Sequence, residues 1–534
     1  MNRSYLSPVI VAVFAGIGAV AGSFAVAGGS QAFVVVPVEK FLTALVPGEI
    51  IAWMIQQFGD LGSQFNLLVA TGLTVGAFAA IAGLAVAVGR ATDVNALATL
   101  SLLLVGWGFA ALLTDELLVS IGTGLGAAMV LGVSQLLGRT SGSGTEGTNP
   151  DRRRVVGGGA VAAGLGILGL GTELLSQPET TDSGVDAADD PVDAATLNGQ
   201  NESRRAPDGA DPTLDAEVDG QEIPIPEYKR YADEQTLDVD GIEPLLSEEF
   251  YNVDINSFDP DIDRSSWTLS VTGAVDNEFE LTFEDLMEYR SVNRMVTLRC
   301  VGDSLNGHKI DNAVWTGVPL EPILERAGPV SDSCCVMLRA ADDYYNEFPI
   351  DALWDGMLAF GMNGQPLPRA HGYPLRALIP GHWGEINVKW LTEIEILDEE
   401  VQGYWEKKGW HGTGPVNTVA KLWDDGIVKH DDGRVTLAGH AYAGTRGLDR
   451  VEVSTDGGDN WDTAALNDPL SPAARERQSV VDVWHQWHYE FEAEGSHEVV
   501  VRAVDGEGNV QERDRSNAYP RGATGWVSKT VTHA

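Results

Sequence analysis

Five apolar stretches rich in glycine and alanine dominate the first 177 residues of this chain. Each is close to the about 20 residues that a helix needs to cross a bilayer. Their approximate limits are residues 7–29, 65–89, 95–113, 117–137 and 155–175. The sequence therefore predicts a transmembrane helix bundle with five spans over residues 1–177. Glu39, Lys40 and Glu49 interrupt residues 31–60, which makes a sixth span a weak prediction and an interfacial position the alternative.

The basic residues predict how these spans are oriented. With a cytoplasmic N-terminus, Arg3, Arg90, Arg139 and the arginine run at 152–154 all lie inside, and only Lys40 lies outside. We therefore expect a multi-pass protein of the cell membrane whose carboxyl-terminal portion faces outward. The same arginine run resembles a twin-arginine export signal, and a plain positive-inside anchor explains it equally well.

The acidic residues are concentrated after the apolar region. The formal net charge of the chain is -42, and residues 178–534 contribute -40 of it. An acidic surface with only nine lysines is typical of haloarchaeal proteins, in which carboxylates stay hydrated while salt screens their repulsion. The acidic residues are spread along the chain, so a basic protein partner is the weaker interpretation, and nucleic acid is not expected as a ligand.

Three regions follow the apolar one. Residues 178–222 combine 13 acidic residues with few bulky side chains, which predicts a disordered acidic linker. Residues 223–412 mix short strands and helices, and we call this region the α+β domain. Residues 413–534 alternate as short strands between turns, which predicts a β-sandwich, and we call this region the all-β domain. Strands are predicted at 267–273, 296–298, 336–338, 391–397, 435–438, 451–454, 488–491 and 499–504, and a helix capped by Thr282 at 281–289.

The three cysteines are too few for a disulfide framework. A bridge between the adjacent Cys334 and Cys335 would be strained, so both are interpreted as strand residues. Cys300 closes a predicted strand and opens a loop rich in glycine, aspartate and asparagine, and residues 315–319 are expected to turn into a helix. A single thiol in such a place is more often a small buried residue than a ligand, so its position alone leaves both interpretations open.

Three stretches resemble the sulfite oxidase family of molybdopterin enzymes. Residues 295–320, MVTLRCVGDSLNGHKIDNAVWTGVPL, contain a Thr-Leu-x-Cys context at Cys300 followed by Trp-x-Gly-Val-x-Leu. Residues 363–391, NGQPLPRAHGYPLRALIPGHWGEINVKWL, are similar to the pterin-binding segment of the family, and residues 446–461 resemble its dimerisation domain. The resemblance covers about residues 245–530. It implies a sulfite-oxidase-type molybdopterin domain, then an Ig-like β-sandwich that can pair two chains as a homodimer.

The resemblance also implies a set of site residues. Cys300, next to the cationic Arg299, would be the protein thiolate on molybdenum. Tyr344, five residues before Pro349, would offer its hydroxyl to an oxo group or a substrate oxygen, with Tyr345 as the alternative. The residues expected to contact the pterin are Tyr251, Asn252, His371, Arg376, Gly381 and Lys389. Tyr251 and Asn252 depart from the family, which has an arginine or histidine there.

The substrate is less certain than the cofactor because the loop after Cys300 departs from the family. Sulfite oxidases resemble one another in having Gly-Asn-Arg and a second arginine after the cysteine, whereas residues 301–305 here are VGDSL. His308 and Lys309 are the cationic residues near this loop, and Asp303 would lie unfavourably beside an anionic substrate.

Oxidation of sulfite to sulfate is nevertheless the first reaction that the resemblance implies. Reduction of a sulfoxide of the methionine sulfoxide type is the enzymatic alternative, and a non-catalytic surface binding or scaffold protein is the alternative from another class. No haem or flavin signature is evident in the sequence. We therefore expect electrons to pass to an external carrier, either a cytochrome or a blue-copper protein.

Overall fold

A computed structural model describes residues 3–58, 61–92, 94–140, 223–239 and 241–533. The chain divides into two compact units. The first unit comprises Met1–Val46, Phe58–Ser203 and Asp254–Asp261, and the second comprises Pro47–Gln57, Arg204–Val253 and Ile262–Ala534. The predicted fifth span, the arginine run and the acidic linker lie outside the described residues.

The described part of the apolar region is helical. Its helices are α1 Arg3–Ala27, α2 Val36–Leu45, α3 Gly48–Phe58, α4 Leu61–Thr92, α5 Asn95–Thr114 and α6 Leu117–Thr140. Among the described residues, four segments are long and apolar enough to cross a membrane: Pro8–Ala27, Phe65–Thr92, Ala96–Thr114 and Leu117–Gln135. They coincide with the first four predicted spans. The charged segment at 31–60 is divided between α2 and α3, which are too short to be spans.

Helices α1 and α6 pack at their glycines. A Cβ added to Gly22 would overlap the carbonyl oxygen of Gly122, and one added to Gly126 would overlap that of Gly18. Each helix therefore presents a small-xxx-small pair, which lets two backbones approach closely without side chains between them. This contact explains why glycine is frequent in segments whose helix propensity it lowers.

The α+β domain contains two sheets. The first has the order β2-β1-β10-β5-β6, and the second has the order β3-β4-β7-β8 with β9 also paired to β7. Its strands are β1 Thr268–Gly273, β2 Phe279–Thr282, β3 Val292–Arg299, β4 Ile310–Pro319, β5 Cys335–Ala340, β6 Tyr345–Pro349, β7 Met357–Met362, β8 Gln365–Pro366, β9 Arg376–Leu378 and β10 Leu391–Leu397. Its helices are α7 Ile225–Gln235, α8 Phe283–Met287 and α9 Glu321–Ala327.

Most predicted elements of this domain are confirmed. The strand before the thiol is β3, which ends at Arg299, directly before Cys300. Helix α8 has Thr282 as its N-cap within a capping box, but it is shorter than predicted because Leu281 and Thr282 belong to β2. The prediction of a turn at 315–319 is wrong. These residues are the end of β4, because they pair with β7, and helix α9 follows.

The expectation that the adjacent cysteines are separate strand residues is also wrong. Cys334 and Cys335 form a disulfide, with their Cα atoms 3.7 Å apart. Strand β5 begins at Cys335, and the backbone of Cys334, one residue earlier, donates to the carbonyl of Leu397 and accepts from the amide of Ile350, each at 3.0 Å.

The all-β domain consists of two sheets that share one apolar core. One sheet has the order β11-β13-β17-β16 with β12 on β13, and the other has the order β15-β14-β18-β19. Its strands are β11 Val419–Ala420, β12 Ile427–Lys429, β13 Arg434–Tyr442, β14 Leu448–Ser454, β15 Asp462–Thr463, β16 Ala465–Asn467, β17 His485–Glu492, β18 Gly495–Asp505 and β19 Val527–His533, and its helix is α10 Pro472–Arg477. The four strands predicted here all lie within β13, β14, β17 and β18. The finer Ig-like assignment stays a prediction.

Candidate active site

Cys300 occupies the first position of the loop between β3 and β4. Its backbone amide donates to the carbonyl of Lys309 at 3.0 Å, which holds the two ends of the loop together. The backbone amide of Gly302 lies 3.4 Å from the sulfur, as a donor to it. Burial raises the pKa of the Cys300 thiol, while the Lys309 charge and the Gly302 amide act in the opposite direction. The groups that would stabilise a thiolate are therefore already in place.

Asp303, in the loop after Cys300, is a buried and paired residue. Its side chain is fully buried and forms salt bridges with Arg299, at 3.0 Å, and Lys421, at 2.6 Å. Its second carboxyl oxygen accepts from the backbone amide of Lys309. Burial raises the pKa of Asp303, but the charges of Lys421 and Arg299 lower it more, so that the pKa is below its usual value. The carboxylate ties the cysteine loop to the all-β domain.

Four of the predicted pterin-contacting residues lie together. Lys389 Nζ donates to Asn252 Oδ1 at 2.6 Å and to the carbonyl of Ala370 at 2.9 Å. Arg376 is buried and donates to the carbonyl of His371 at 3.3 Å. Gly372, with φ 109°, turns the chain between them, and a Cβ there would lie 3.0 Å from Lys389 Cα. Cations and an amide thus surround one turn, as an anionic cofactor group would require.

Tyr251 belongs to the same region. Phe250 stacks on it and lies edge-on to both Trp315 and His371, each at 5.5 Å between ring centroids. The Tyr251 hydroxyl lies against the backbone of Gly384, where a Cβ would come within 2.8 Å of it. Burial raises the pKa of Tyr251 well above its ordinary value, so this hydroxyl stays protonated and can donate.

Asp311 on β4 holds Tyr251 in position, and its burial leads us to expect that stability depends on pH. It accepts from the Tyr251 amide at 2.7 Å and from Ser247 Oγ at 3.0 Å. Burial raises its pKa from 3.8 to about 8. The unfolded chain therefore releases this proton near pH 4 and the folded chain only near pH 8, so stability falls as pH rises between these values. In Asp311→Asn this fall in stability with rising pH, up to about 1.4 kcal/mol per pH unit, should be absent.

Urea denaturation followed by tryptophan fluorescence at pH 5 and pH 7 measures this difference. The exposed Asp332→Asn variant is the matched control and should keep the wild-type dependence on pH. An Asp311→Asn variant that loses as much stability between the two pH values as the wild type would contradict the assignment.

Tyr344 and Tyr345 point to different neighbours. The Tyr344 hydroxyl donates to the carbonyl of Glu385 at 2.8 Å and accepts from Asn346 Nδ2 at 3.2 Å. The Tyr345 hydroxyl accepts from Lys407 Nζ at 2.8 Å instead. Burial raises the pKa of Tyr344 well above its ordinary value, so its proton is retained at neutral pH. Tyr344 is therefore the better candidate, because its hydroxyl meets the backbone at Glu385, two residues after Trp383, which pairs with Arg299 next to Cys300.

Gly381 is apart from these contacts. Its amide donates to Asp482 at 2.7 Å, its carbonyl accepts from Val416 at 2.9 Å, and a Cβ on it would lie 2.7 Å from Thr445 Oγ1. All three partners belong to the all-β domain. A role for Gly381 in pterin binding stays a prediction.

Sequence reasoning did not identify several residues of this site. Lys421 carries no motif, and its role depends on a partner 118 positions away. Asn387 accepts from Arg376 through its carbonyl at 2.9 Å and from the Ile379 amide through its side chain at 2.7 Å. The sequence did contain one signal for Glu385. It is the carboxylate within residues 377–388, whose other side chains are apolar or neutral except for His382.

Two domain families match the chain. Residues 256–405 match the oxidoreductase molybdopterin binding domain, and residues 414–521 match the Mo-co oxidoreductase dimerisation domain. Among solved structures, the sulfane dehydrogenase SoxCD from Paracoccus pantotrophus aligns with a TM-score of 0.44 at 22% identity, over 60% of this chain and 92% of that chain.

Known sulfite oxidases and nitrate reductases are similar to almost half of this chain. The Arabidopsis thaliana sulfite oxidase is 28% identical over 46% of this chain and 76% of its own length. The mitochondrial sulfite oxidase of Homo sapiens is 27% identical over 47% of this chain, and the chain spans 54% of its length. The NAD(P)H nitrate reductase of Hordeum vulgare is 27% identical over 47% of this chain and 35% of its length. Residues 256–405 and 414–521 are therefore similar to the molybdopterin-binding and dimerisation domains of sulfite oxidase-like molybdenum oxidoreductases.

Proposed function

We propose that this chain is a membrane-anchored molybdopterin oxidoreductase that catalyses oxygen-atom transfer at sulfur, in the first place the oxidation of sulfite to sulfate. The observation that carries the proposal is the gathering of Asn252, His371, Arg376 and Lys389 around one turn of the domain that presents Cys300. The matched families and the similarity to known sulfite oxidases support the same reaction class.

The side chains present fit a metal that brings most of its own ligands. Among the described residues, no group of three or more His, Cys, Asp or Glu side chains could hold a metal ion. Cys300 offers one soft donor, and the guanidinium of Arg376 and the ammonium of Lys389 offer charges for the oxygens of a phosphate. A pterin cofactor with sulfur donors and a phosphate needs this combination.

When bound, the cofactor would supply two-electron oxygen-atom transfer. Cys300 would hold the metal as a thiolate, and Arg376 and Lys389 would clamp the anionic end of the cofactor. Tyr344 would exchange its hydrogen bond to the Glu385 carbonyl for one to a substrate oxygen, while Asn346 still donates to its hydroxyl oxygen. Electrons would leave to an external cytochrome or blue-copper protein, and the all-β domain would pair two chains.

We further propose that the apolar helices anchor the protein as a multi-pass membrane protein with both domains facing outward.

Sulfoxide reduction is the second candidate, and the loop after Cys300 favours it. Asp303 forms salt bridges with Arg299, the arginine directly before the thiol in sequence, and with Lys421. A site for a sulfite dianion would instead be expected to direct cations at its substrate.

A direct comparison of the two substrates tests the proposal. The full-length protein, purified in detergent with its molybdenum content measured, is assayed at low and at molar salt. We expect sulfite to reduce an artificial one-electron acceptor. Reduction of methionine sulfoxide by a reduced dye, without sulfite oxidation, would select the second candidate. A fully molybdenum-loaded protein that converts neither compound would refute oxygen transfer at sulfur.

A further inference from the structure

A segment of the all-β domain covers the edge of β3 that does not pair with β4. On this edge, Val296 forms a parallel bridge with Asp482, and the Thr297 amide donates to the Asp482 carbonyl at 2.9 Å. The Trp484 amide donates to Thr297 Oγ1 at 2.9 Å. This segment therefore extends the sheet beside the strand that ends one residue before Cys300.

A second segment lies along the same edge, closer to the thiol. Trp383 forms a parallel bridge with Arg299, the last residue of β3. The guanidinium carbon of Arg299 lies 5.0 Å from the centroid of the Trp383 ring. Trp383 follows Gly381 by two residues, and Gly381 is one of the residues predicted to contact the pterin. The last strand residue before the thiol is thus held by the segment that contains this glycine.

The carboxylate of Asp482 joins the two segments. Its Oδ2 accepts from the Gly381 amide at 2.7 Å, and its Oδ1 accepts from the Tyr442 hydroxyl at 2.7 Å. The Tyr442 hydroxyl also lies 3.2 Å from the carbonyl oxygen of Thr297 on β3. Asp482 is buried, and each of its carboxyl oxygens has a partner, so the side chain has one defined position.

The turn at Gly381 is bound to the all-β domain on both sides of the residue. Its amide donates to Asp482, and its carbonyl accepts from the Val416 amide at 2.9 Å. Gly381 has a φ of 74°, and a Cβ on it would lie 2.7 Å from Thr445 Oγ1. The all-β domain therefore determines where this turn lies relative to the end of β3.

We propose that Asp482 is a positioning residue for Cys300, which fixes the thiol relative to the Gly381 turn and makes the all-β domain part of the metal site. The inference rests on the proposed function, since it takes Cys300 as the metal ligand and Gly381 as part of the cofactor site. Removing a group that orients a metal ligand typically changes metal affinity or activity by about 10- to 100-fold.

Two substitutions separate the hydrogen bonds of Asp482 from its charge. In Asp482→Asn, the side-chain oxygen can accept from the Gly381 amide while the side-chain nitrogen donates to the Tyr442 hydroxyl, so both links remain. In Asp482→Ala, both links are lost. The matched control is Asp456→Ala, because the Asp456 carboxylate accepts hydrogen bonds within one turn of the same domain, residues 454–460.

The reactivity of Cys300 toward iodoacetamide is the first readout. It is measured by mass spectrometry on the full-length protein, produced in a host that makes no molybdopterin. Cys334 and Cys335 form a disulfide, so alkylation reports on Cys300. Alkylation of this half-buried thiol follows local opening of the strand end, and losing two buried hydrogen bonds makes opening easier. We expect Asp482→Ala to react at least about tenfold faster than the wild type, and Asp482→Asn and Asp456→Ala to stay within about threefold of it.

The thiolate-to-metal absorption band of the molybdenum-loaded protein is the second readout, because it reports the contact between sulfur and metal and not the stability of the fold. The band should shift or weaken in Asp482→Ala and return in Asp482→Asn. Tyr442→Phe removes one of the two links and should change both readouts in the same direction, so the test survives if Asp482→Ala does not fold.

Unchanged reactivity in Asp482→Ala, or an equal rise in Asp456→Ala, would overturn the proposal. Faster alkylation with an unchanged band would also overturn it, because the strand would then be loosened without displacing the metal ligand. The alkylation needs neither metal nor turnover. A protein that shows the expected alkylation and band changes but converts no sulfur compound would therefore refute the proposed reaction alone.

Discussion

Asp303→Asn is expected to lower the free energy of unfolding of the second unit by about 3–5 kcal/mol, the loss typical of breaking a buried ion pair from one side. The side chains of Arg299, Asp303 and Lys421 are all fully buried. Asparagine keeps the size of Asp303 but leaves two buried cations without their carboxylate. Burial already lowers the pKa of Lys421 to about 8 in the presence of Asp303, which indicates how unfavourable its charge would be without it.

The midpoint of urea denaturation, followed by tryptophan fluorescence on the full-length protein, measures this loss. Removing one cation as well should recover part of it, so Asp303→Asn combined with Lys421→Met should be more stable than Asp303→Asn alone. The exposed Asp332→Asn variant should have the wild-type midpoint. If Asp303→Asn matched that control, the ion network would not hold the cysteine loop to the all-β domain.

Cys300→Ser is expected to reduce turnover by at least about a hundredfold, because a hydroxyl is a harder and weaker ligand than a thiolate for a soft-bonded metal. The fold should persist, since serine is close to cysteine in size and Cys300 is half-buried. Molybdenum content, turnover and thermal melting are measured on the same preparation. The melting curve separates loss of the metal ligand from loss of the fold.

The matched control uses the same chemical change elsewhere. Replacing Cys334 and Cys335 together by serine removes the disulfide but leaves Cys300, and turnover should be retained. A Cys300→Ser protein that binds molybdenum and turns over at the wild-type rate would show that the thiol is not the metal ligand, and the candidate site would then have to be reconsidered.

Local sequence pattern was enough to predict the secondary-structure elements that carry the site. Alternating apolar residues predict β1 and β10, Thr282 predicts the start of α8, and the four described spans follow from the length of their apolar runs. The place of Cys300 at the end of a strand was also predictable from local sequence, because strand residues and loop residues differ in composition over a few positions.

Local pattern failed where a residue's role depends on a distant partner. Residues 315–319 contain the glycine and proline typical of a turn, yet strand pairing with β7 keeps them extended. Asp303 was expected near the substrate because it follows Cys300 by three residues. Its actual partner, Lys421, comes from the other domain.

The sequence by itself determined the division into an apolar helical part and an acidic part with strands and short helices, most of the strands, and the position of the thiol. Tertiary structure alone decided which charges are buried and paired, and Arg299, Asp303 and Lys421 form one such network. The reason is physical. Hydrophobic periodicity acts between near neighbours in the chain, whereas the cost of a buried charge depends on every group that packing brings within a few ångströms of it.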